Sequence, residues 1–322
     1  MNNINFAKII GVGGYLPEKI ITNFDLEKIV DTTDEWITQR TGIKQRHIAN
    51  EQQSTSDLAV EAVKNAIKNA NIKIEDVDAI ICATTTPDLT FPSTACIIQS
   101  KLGLDKPVIA FDIQAVCSGF VYAISIANEI MKGGKIKTAV VIGAEKMSSL
   151  IDWKDRSTCV LFGDGAGAVI LQSANDGNGI IDYEINANGK YFDILRTTGG
   201  VSTNQIAGNI LMDGRGVFKH AVEKMTSSII NIIKKNGLTL DDISLIIPHQ
   251  ANYRILSLVA EKLKISNDKF MLTIGEHANT SSASIPLALD VALNEGKIKK
   301  GDYIILEALG AGLTWGSVLV KM

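Results

Sequence analysis

Cys117 lies in the segment DIQAVCSGFVYAI (112–124), between an apolar run typical of a strand and a stretch typical of a helix. A thiol with a pKa of about 8.5 is a weak nucleophile at neutral pH until its thiolate is stabilised. The unpaired N–H groups and the dipole at the start of a helix provide such stabilisation. Gly119 leaves room for another molecule to approach the backbone. The segment therefore predicts a cysteine nucleophile, with a buried structural thiol as the alternative.

Two further polar residues follow apolar segments elsewhere: His249 in LIIPHQAN and Asn279 in GEHANTSSASIPLAL. Taken singly, the histidine would more often make a structural hydrogen bond, and the asparagine would more often cap a helix. With a cysteine they provide for thioester carbon chemistry, because the thiolate accepts an acyl group and two N–H donors hold the negative oxygen of an enolate. His277 competes with His249, and we place it second because it lacks the position at a strand end.

The other cysteines, Cys82, Cys96 and Cys159, have apolar neighbours and are predicted to be core residues. Their spacing contains no CxxC pair, so neither a metal site nor a disulfide framework is indicated. A reducing cytosol fits this cysteine usage best.

Composition narrows the class of protein further. The 322 residues are 46% hydrophobic and carry a formal net charge of -3, which is unlike a nucleic-acid binder or a disordered chain. The first residues do not have the pattern of a signal peptide, and the apolar runs are shorter than the ~20 residues of a membrane span. We therefore expect a cytoplasmic protein without a membrane span.

The elements that position these residues are predicted strands that alternate with predicted helices. Apolar runs at 77–85, 107–113 and 138–144 predict buried strands, whereas 57–71 has its apolar residues at helical spacing. Strands that alternate with helices indicate an α/β protein.

The chain also repeats itself. NIKIEDVDAIIC (71–82) resembles GLTLDDISLIIP (237–248), an offset of 237 − 71 = 166 residues. GKIKTAVVIGA (134–144) resembles GKIKKGDYIILEA (296–308), where Ile298 and Ile136 differ by 298 − 136 = 162. Two similar segments in the same order predict a duplicated βα unit with its junction near 171–179.

The repeat predicts where the polar residues meet. An offset of 162 relates Cys117 to Asn279, both before helical segments rich in small residues, and His249 ends the strand that matches 79–82. Because ligands gather at the carboxyl ends of strands in such folds, we expect a pseudo-twofold axis to bring the three side chains together.

Three glycine-rich segments give weaker predictions of function. GVGGYLP (11–17) and GDGAGAVIL (163–171) do not match a phosphate-binding loop and predict closely packed backbone. ALGAGLTWGSVLV (308–320) predicts a loop before the last strand, either a plain tight turn or a source of N–H groups for an oxyanion hole.

AVCSGFVYAI, PHQAN, EHANTSSASIPLAL and GAGLTWG together resemble the signatures of the β-ketoacyl-acyl carrier protein synthase III family. These are the initiating condensing enzymes of type II fatty acid synthesis, and the resemblance runs along the whole chain. It implies the thiolase fold, in which duplicated βαβαβαββ halves form a five-layered αβαβα core. The halves would be residues 1–172, with the cysteine, and 173–322, with the histidine and asparagine.

The resemblance implies that Cys117 is the acyl-accepting nucleophile, with His249 and Asn279 as its catalytic partners. The backbone N–H groups of Cys117 and Ala311 would form the oxyanion hole. Ala311 replaces a glycine of other members, a change that keeps the N–H. Coenzyme A and decarboxylation chemistry need neither a metal nor a redox cofactor, so none is expected.

Other positions match the binding residues of the family. The coenzyme A contacts would be Trp36, Arg40, Arg156 and Asn252. Trp36 would stack on the adenine, unless it is simply packed in the core, and Arg40 would meet a phosphate. Lys219 and Arg254 would dock the acidic acyl carrier protein. Phe91 would enter the acyl pocket of a second subunit, which implies a homodimer.

Two residues depart from the family pattern. Gly216 stands where an acidic residue is usual, and Arg215 replaces an asparagine of some members, so the coenzyme contact at this point is open. The implied reaction is the condensation of an acyl-coenzyme A primer, expected to be acetyl-coenzyme A, with malonyl-acyl carrier protein. The alternatives are a condensing enzyme of secondary metabolism that uses another acceptor, and an inactive scaffold of the same fold.

Overall fold

A computed structural model describes residues 6–322, which contain thirteen strands and eleven helices. The strands are β1 (Phe6–Tyr15), β2 (Ile20–Thr22), β3 (Gln45–His47), β4 (Ala79–Ala83), β5 (Ile109–Ile113), β6 (Thr138–Glu145), β7 (Gly165–Ala174), β8 (Gly179–Ala187), β9 (Leu195–Thr197), β10 (Ile210–Met212), β11 (Ile243–Pro248), β12 (Tyr303–Gly310) and β13 (Thr314–Lys321). The helices are α1 (Asn23–Leu26), α2 (Asp34–Thr41), α3 (Thr55–Ala70), α4 (Thr94–Lys101), α5 (Gly119–Lys132), α6 (Arg156–Cys159), α7 (Val201–Asn204), α8 (Gly214–Lys235), α9 (Tyr253–Leu263), α10 (Ile274–His277) and α11 (Ser284–Asn294).

Two mixed sheets form the framework. The first has the strand order β1-β7-β6-β4-β5, with β4 parallel to both β5 and β6 and with β7 antiparallel to β1 and β6. The second has the order β11-β12-β13-β8, with β11 parallel to β12. Small two-stranded sheets pair β2 with β3 and β9 with β10.

The sheets and helices stack in five layers. Helices α5 and α11 lie between the two sheets in one apolar core. Helices α3 and α4 cover the outer face of the first sheet, and α8 and α9 cover the outer face of the second. The order of layers is therefore αβαβα. No helix within residues 6–322 is both long enough and apolar enough to cross a membrane.

The patterns of the sequence explain the central elements. The predicted strands at 77–85, 107–113 and 138–144 correspond to β4, β5 and β6, and the predicted helix at 57–71 is α3. Every residue of β4 and β6 is buried, which is why these strands are continuously apolar instead of alternating. Helix α3 buries one face against the first sheet, as an amphipathic helix does.

The duplication is present, but its register differs from the predicted one. Strands β6 and β12 begin 303 − 138 = 165 residues apart, and helices α5 and α11 begin 284 − 119 = 165 apart. The 3₁₀ turns before these helices, Val116–Ser118 and Ser281–Ala283, have the same offset. The residue equivalent to Cys117 is therefore Ser282, and the predicted pairing with Asn279 is wrong by three residues.

The second half also lacks a full counterpart of β5. Where that strand would lie, the described residues form only an isolated parallel bridge between Ile246 and Phe270. The segment that follows holds Asn279 in another parallel bridge, with Phe162 of the first half. Asn279 thus reaches the junction of the halves through extended backbone.

The glycine-rich segments 11–17 and 163–171 belong mainly to the antiparallel strands β1 and β7. A Cβ atom on Gly13 would lie 2.3 Å from the backbone nitrogen of Ala66 in α3, closer than any real contact. The prediction of closely packed backbone is confirmed there, because only glycine lets the helix approach the strand.

Candidate active site

A deep cavity of about 1070 Å³ brings the predicted residues together. Cys117, His249 and Asn279 line its buried part, with relative exposures of 6%, 3% and 6%. Much of the remaining wall is apolar: Leu161, Phe162, Phe192, Val201, Ile210, Met225 and Leu309. A long ligand with one reactive end fits this shape, because apolar walls would bury it while few polar groups orient it.

The turn Val116–Ser118 presents Cys117 at the carboxyl edge of the first sheet, directly before α5. Val116 has φ +50°, a left-handed conformation that strains a β-branched residue. The end of β12 packs so closely on the turn that a Cβ atom on Gly310 would lie 2.6 Å from the carbonyl oxygen of Ala115 and 3.0 Å from the nitrogen of Cys117. Strain of this kind is typical of functional sites.

Burial has the largest effect on the pKa of the Cys117 thiol. The pKa of Cys117 is raised to about 12, chiefly by burial; a hydrogen bond with Ser281 lowers it, and the charge of Glu145 raises it. The neutral thiol therefore prevails at neutral pH. A charge buried this deeply loses its hydration, which opposes the stabilisation that the start of the helix offers the thiolate.

His249 follows β11 and is held by Ser284 at the start of α11, with 2.7 Å between Nδ1 and Oγ. The Ser284 oxygen accepts the N–H of Gln250 at 3.3 Å and still has its own hydrogen to donate to Nδ1. With the Ser284 hydroxyl as donor to Nδ1, the ring carries its N–H on Nε2. Burial lowers the pKa of His249 to about 3, so the imidazole is neutral and suited to donating a hydrogen bond.

Asn279 is fixed on both sides. Its N–H donates to the carbonyl of Leu161 at 3.0 Å, and its own carbonyl accepts from Gly163 at 3.0 Å. Its Oδ1 accepts the N–H of Ser281 at 2.9 Å. Asn279 is not the N-cap residue of the 3₁₀ turn or of α11, which are Thr280 and Ala283. Its hydrogen bond to Ser281 uses only the oxygen, and the NH₂ group remains for the cavity.

The coenzyme candidates lie at the outer part of the cavity. Trp36, Arg40 and Asn252 line it, and Asn252 also caps α9 and donates to the carbonyl of Arg40 at 3.0 Å. Arg156 lies beside the cavity, with its guanidinium carbon 4.9 Å from the centroid of the Trp36 ring. Trp36 is half-buried: one part packs against a small core, as the alternative predicts, and another part lines the cavity.

The structure explains the departure at Gly216. Asp213 caps α8 by accepting the N–H groups of Arg215 and Gly216 at 3.1 and 3.2 Å. A Cβ atom on Gly216 would lie 2.6 Å from the Asp213 carboxylate, so a side chain there would disturb the cap. Neither Arg215 nor Gly216 lines the cavity.

The carrier-protein candidates lie on two packed helices outside the cavity. Lys219 is exposed on α8 and Arg254 is exposed on α9, with the Arg254 guanidinium carbon 6.0 Å from the ring centroid of Phe218. A shallow groove of about 310 Å³ runs along this surface and includes Tyr253 and Glu261.

Phe91 lies away from the cavity of its own chain. It is 81% exposed in the loop before α4, next to Leu89 at 55%. The edge strand β5 beside it begins with Ile109, which is 39% exposed. The loop before α4 and the edge strand β5 thus each carry exposed apolar residues.

The positions of the remaining cysteines and of His277 agree with the predictions in some cases and differ in others. Cys82 and Cys159 are buried as predicted, although Cys159 ends the short helix α6 instead of lying in a strand. Cys96 is exposed on α4, so its prediction as a core residue is wrong. His277 does not line the cavity. Among residues 6–322, no cluster of three or more histidine, cysteine, aspartate or glutamate side chains could hold a metal ion.

Sequence reasoning missed three residues that support the site. Ser284 orients His249, and the N–H of Ser281 donates to the side chain of Asn279. Glu145, fully buried at the end of β6, accepts hydrogen bonds from Ser281 and Ser282. A signal for Glu145 exists, since it is a lone acid directly after the apolar run TAVVIGA (138–144).

Duplicated halves in an αβαβα stack are the architecture of the thiolase fold, and a cavity that ends on a thiol, an imidazole and a carboxamide is typical of its acyl-transferring members. Models of the 3-oxoacyl-[acyl-carrier-protein (ACP)] synthase III family match residues 111–189 and, for its C-terminal part, residues 233–322.

Individual relatives match almost the whole chain. The β-ketoacyl-[acyl-carrier-protein] synthase III of Ehrlichia canis (strain Jake) is 55% identical over 315 residues, 98% of each chain. That of Rickettsia bellii (strain OSU 85-389) is 54% identical over 315 residues, 98% of this chain and 99% of the relative. The crystal structure of 3-oxoacyl-[acyl-carrier-protein] synthase III from Aquifex aeolicus VF5 has a TM-score of 0.94 and 50% identity, and covers 98% of this chain and 100% of the other.

The chain belongs to the β-ketoacyl-acyl carrier protein synthase III family. It is an acyltransferase of the condensing type, and its reaction is the condensation that initiates fatty acid synthesis. A condensing enzyme of secondary metabolism is not favoured.

Proposed function

We propose that Cys117 carries the acyl group of the primer, and that His249 and Asn279 hold the enolate formed from malonyl-acyl carrier protein. The observation that carries this proposal is the cavity, because one space of about 1070 Å³ is lined by all three side chains and continues to Trp36 and Arg40 near the surface. An acyl-coenzyme A thioester has the matching form: a charged, aromatic end on a long arm that leads to a reactive carbonyl.

The first half-reaction transfers the acyl group. The sulfur of Cys117 bonds to the carbonyl carbon of the thioester, the bond from that carbon to the coenzyme sulfur breaks, and the thiol proton ends on coenzyme A. The oxyanion rests on the N–H groups of Cys117 and Ala311. The close packing of Gly310 on the Cys117 turn supports this role, since it places the two backbone segments side by side.

The second half-reaction joins two carbons. Malonyl-acyl carrier protein loses its carboxylate as carbon dioxide, and Nε2–H of His249 and the NH₂ group of Asn279 stabilise the enolate oxygen. The enolate carbon attacks the acyl carbon, and Cys117 leaves as a thiolate that takes up one proton. A neutral imidazole with its hydrogen on Nε2 can make this donation, and the lowered pKa of about 3 for His249 supports the neutral form. Because decarboxylation supplies the carbanion, the proposed route uses no metal or redox cofactor.

The finer assignments belong to the same proposal. Trp36, Arg40, Arg156 and Asn252 bind the coenzyme, and the exposed Lys219 and Arg254 dock the acidic carrier protein. Phe91 enters the acyl pocket of a second copy, which makes the protein a homodimer; its 81% exposure supports this. The units 1–172 and 173–322 are the two halves of the duplication, and the protein is cytoplasmic.

The proposal is tested by mass spectrometry of the protein after incubation with a panel of acyl-coenzyme A thioesters. We expect one acyl group per chain on the Cys117 peptide, and the panel also identifies the preferred primer. Condensation is then measured with malonyl-acyl carrier protein and with malonyl-coenzyme A in parallel. Acylation at another residue, or a preference for malonyl-coenzyme A, would overturn the corresponding half of the proposal.

A further inference from the structure

The loop between β12 and β13 consists of residues 311–313 and begins with Ala311, whose N–H group belongs to the proposed oxyanion hole. Strand β13 then begins with Thr314, which pairs with Gly310 across the hairpin and lines the cavity. The other N–H group of the hole belongs to Cys117, 311 − 117 = 194 residues away in sequence. Because both N–H groups must point at one oxygen, the two segments have to be held in a fixed relation.

Two hydroxyl groups join these segments. Oγ of Ser118 lies 2.7 Å from Oγ1 of Thr314 and 2.8 Å from the carbonyl oxygen of Ala115. Oγ1 of Thr314 lies 3.0 Å from the carbonyl oxygen of Ala311 and 3.1 Å from that of Ala115. The hydroxyl pair therefore contacts the turn of the nucleophile on one side and the loop of the oxyanion hole on the other.

The number of hydrogens narrows the pattern of donation. Each hydroxyl has one hydrogen, so the pair can donate only two hydrogen bonds. The carbonyl of Ala115 already accepts the N–H of Ser118 at 3.1 Å. The arrangement that satisfies both carbonyls therefore has Ser118 donating to Thr314 and Thr314 donating to Ala311. Hydrogen bonds in such a chain strengthen one another.

The two hydroxyls differ in their access to the cavity. Ser118 is 0% exposed and does not line the cavity, whereas Thr314 is half-buried and lines it. An effect of Ser118 on the reaction must therefore pass through Thr314 and the backbone. The packing around the pair is tight, since a Cβ atom on Gly310 would lie 2.9 Å from the nitrogen of Ser118. Gly310 allows the close approach, and the hydroxyls fix the segments relative to each other.

We propose that Ser118 and Thr314 are positioning residues: their hydrogen-bonded hydroxyls hold the Ala311 loop on the Cys117 turn, so that the N–H groups of both segments point at one oxyanion. This inference rests on the proposed role of Cys117. Acyl transfer and condensation both form an oxyanion on the acyl carbonyl, so both depend on the hydroxyl pair. A reaction of the sulfur that forms no such oxyanion does not.

Thr314→Val gives the main prediction, because it removes the hydroxyl and keeps the branched shape of the side chain. In single turnovers at saturating acetyl-coenzyme A, we expect acylation of Cys117 to slow by about 10-fold. This is less than the 10²–10³-fold cost of losing an oxyanion-hole donor, since the N–H of Ala311 is displaced and not removed. The half-saturating concentration of acetyl-coenzyme A should stay within about twofold. Thr314→Ser retains the hydroxyl and should regain at least about half of the parent rate.

Ser118→Ala tests the other end of the chain of hydrogen bonds. Its effect on acylation should be smaller than that of Thr314→Val, because Thr314 can still donate to the carbonyl of Ala311. The double variant should acylate at about the rate of Thr314→Val alone. Such non-additivity is expected of two groups that act through one contact, whereas independent groups would multiply their effects.

A second reaction separates positioning from a general loss of reactivity. The rate of iodoacetamide alkylation of the Cys117 peptide is measured in the full chain, with Cys96→Ser as the background because Cys96 is exposed. Alkylation forms no oxyanion on a carbonyl, so Thr314→Val should change its rate by less than about twofold. The matched control is Ser125→Ala, which removes a buried hydroxyl that donates within α5 to the carbonyl of Val121 at 2.7 Å. It should react at the parent rate in both assays.

Three results would overturn the inference: an unchanged acylation rate in Thr314→Val, an equal fall in acylation and alkylation, or a raised half-saturating concentration at an unchanged maximal rate. The last of these would make Thr314 a binding residue instead. If Thr314→Val does not fold, Thr314→Ala takes its place with the same expectations. The proposed function fails on a different observation, namely the absence of an acyl group on Cys117 in the unmodified protein after incubation with acyl-coenzyme A.

Discussion

In the first half of the molecule, the turn before α5 carries Cys117, and the strand end that faces it is Gly310. In the second half, the equivalent turn before α11 carries Ser282, and the strand end that faces it is Glu145. Both turns begin with a left-handed residue, Val116 at φ +50° and Ser281 at φ +49°. The backbone is nearly the same, so the difference lies in what the opposite strand presents.

That difference determines which turn is free to react. Glycine has no side chain, so Gly310 places no side chain against the turn that carries the thiol. Glutamate holds the Ser282 hydroxyl at 2.9 Å, and the carbonyl of Ala83 lies 2.9 Å away on its other side. In the proposed mechanism, the duplicated turn serves as nucleophile in one copy and as scaffold in the other, and the two copies differ both in the turn residue, Cys117 or Ser282, and in the facing residue, Gly310 or Glu145.

The largest test of this contrast is Cys117→Ser. We expect the rate of acyl-enzyme formation to fall by at least about 10³-fold, because a hydroxyl at this turn has no base within the proposed mechanism to activate it. Intact-protein mass spectrometry after incubation with acetyl-coenzyme A measures the loss. An acyl group transferred to Ser282 instead would break the comparison, since it would show that the held turn is reactive too.

Asn279→Ala tests what the second half contributes. Removing one donor from the enolate should slow malonyl decarboxylation by about 10²–10³-fold, the cost of a lost oxyanion-hole donor. Acylation of Cys117 in the same variant serves as the internal control and should fall far less. Equal losses in both steps would mean that Asn279 positions the turn instead of donating to the enolate.

Gly310→Ala tests the facing residue directly. The new methyl group would lie 2.6 Å from the Ala115 carbonyl, so the turn or the strand must shift. We expect acylation to slow by roughly 10-fold to 10²-fold, because small displacements of a reacting group are costly. We also expect the free energy of unfolding to fall by about 1–3 kcal/mol.

Its matched control is Gly133→Ala, because a Cβ there meets only the Ile130 carbonyl, at 3.4 Å. This variant should acylate at the parent rate. Unimpaired acylation in Gly310→Ala would show that the glycine is not needed to free the thiol.

Much of the framework follows from local patterns. Strands β4 and β6 are buried on both faces, so their continuous apolar character identifies them, and α3 is identified by its apolar stripe. The repeat register could not be obtained in the same way. The second copy has extra residues between its GKIK segment and β12, which moves the true offset from 162 to 165.

In the candidate site, too, local sequence patterns predict some features and not others. Cys117, His249 and Asn279 belong to recognisable local motifs, so their meeting in one cavity could be predicted. The hold of Glu145 on Ser281 joins residues 136 positions apart, and no local pattern encodes it. The neutral state of the Cys117 thiol depends on its burial, and the exposure of Cys96 depends on the packing of α4. Both are set by the tertiary structure.

The prediction with the smallest expected effect compares two buried glutamates, Glu145 and Glu307. Glu145 has six potential hydrogen-bond contacts from donors, whereas neither carboxyl oxygen of Glu307 has a hydrogen-bond partner within the described residues. Burial raises the pKa of Glu307 well above its ordinary value, so the folded protein keeps this proton after the unfolded chain has lost it. The stability that this group contributes is therefore complete below the unfolded pKa, about 4.3, and declines as the pH rises toward the folded value.

Glu307→Gln removes this titration and should gain stability relative to the parent as the pH rises. We expect the difference in the free energy of unfolding, measured with urea, to move in favour of the variant by about 1 kcal/mol or more between pH 5 and pH 8, since each unit of pKa shift corresponds to about 1.4 kcal/mol. Glu75→Gln, a change at an exposed residue, should keep a constant difference. A constant difference for Glu307→Gln as well would mean that its carboxyl is ionised in the folded protein, and that the lack of donors does not distinguish it from Glu145.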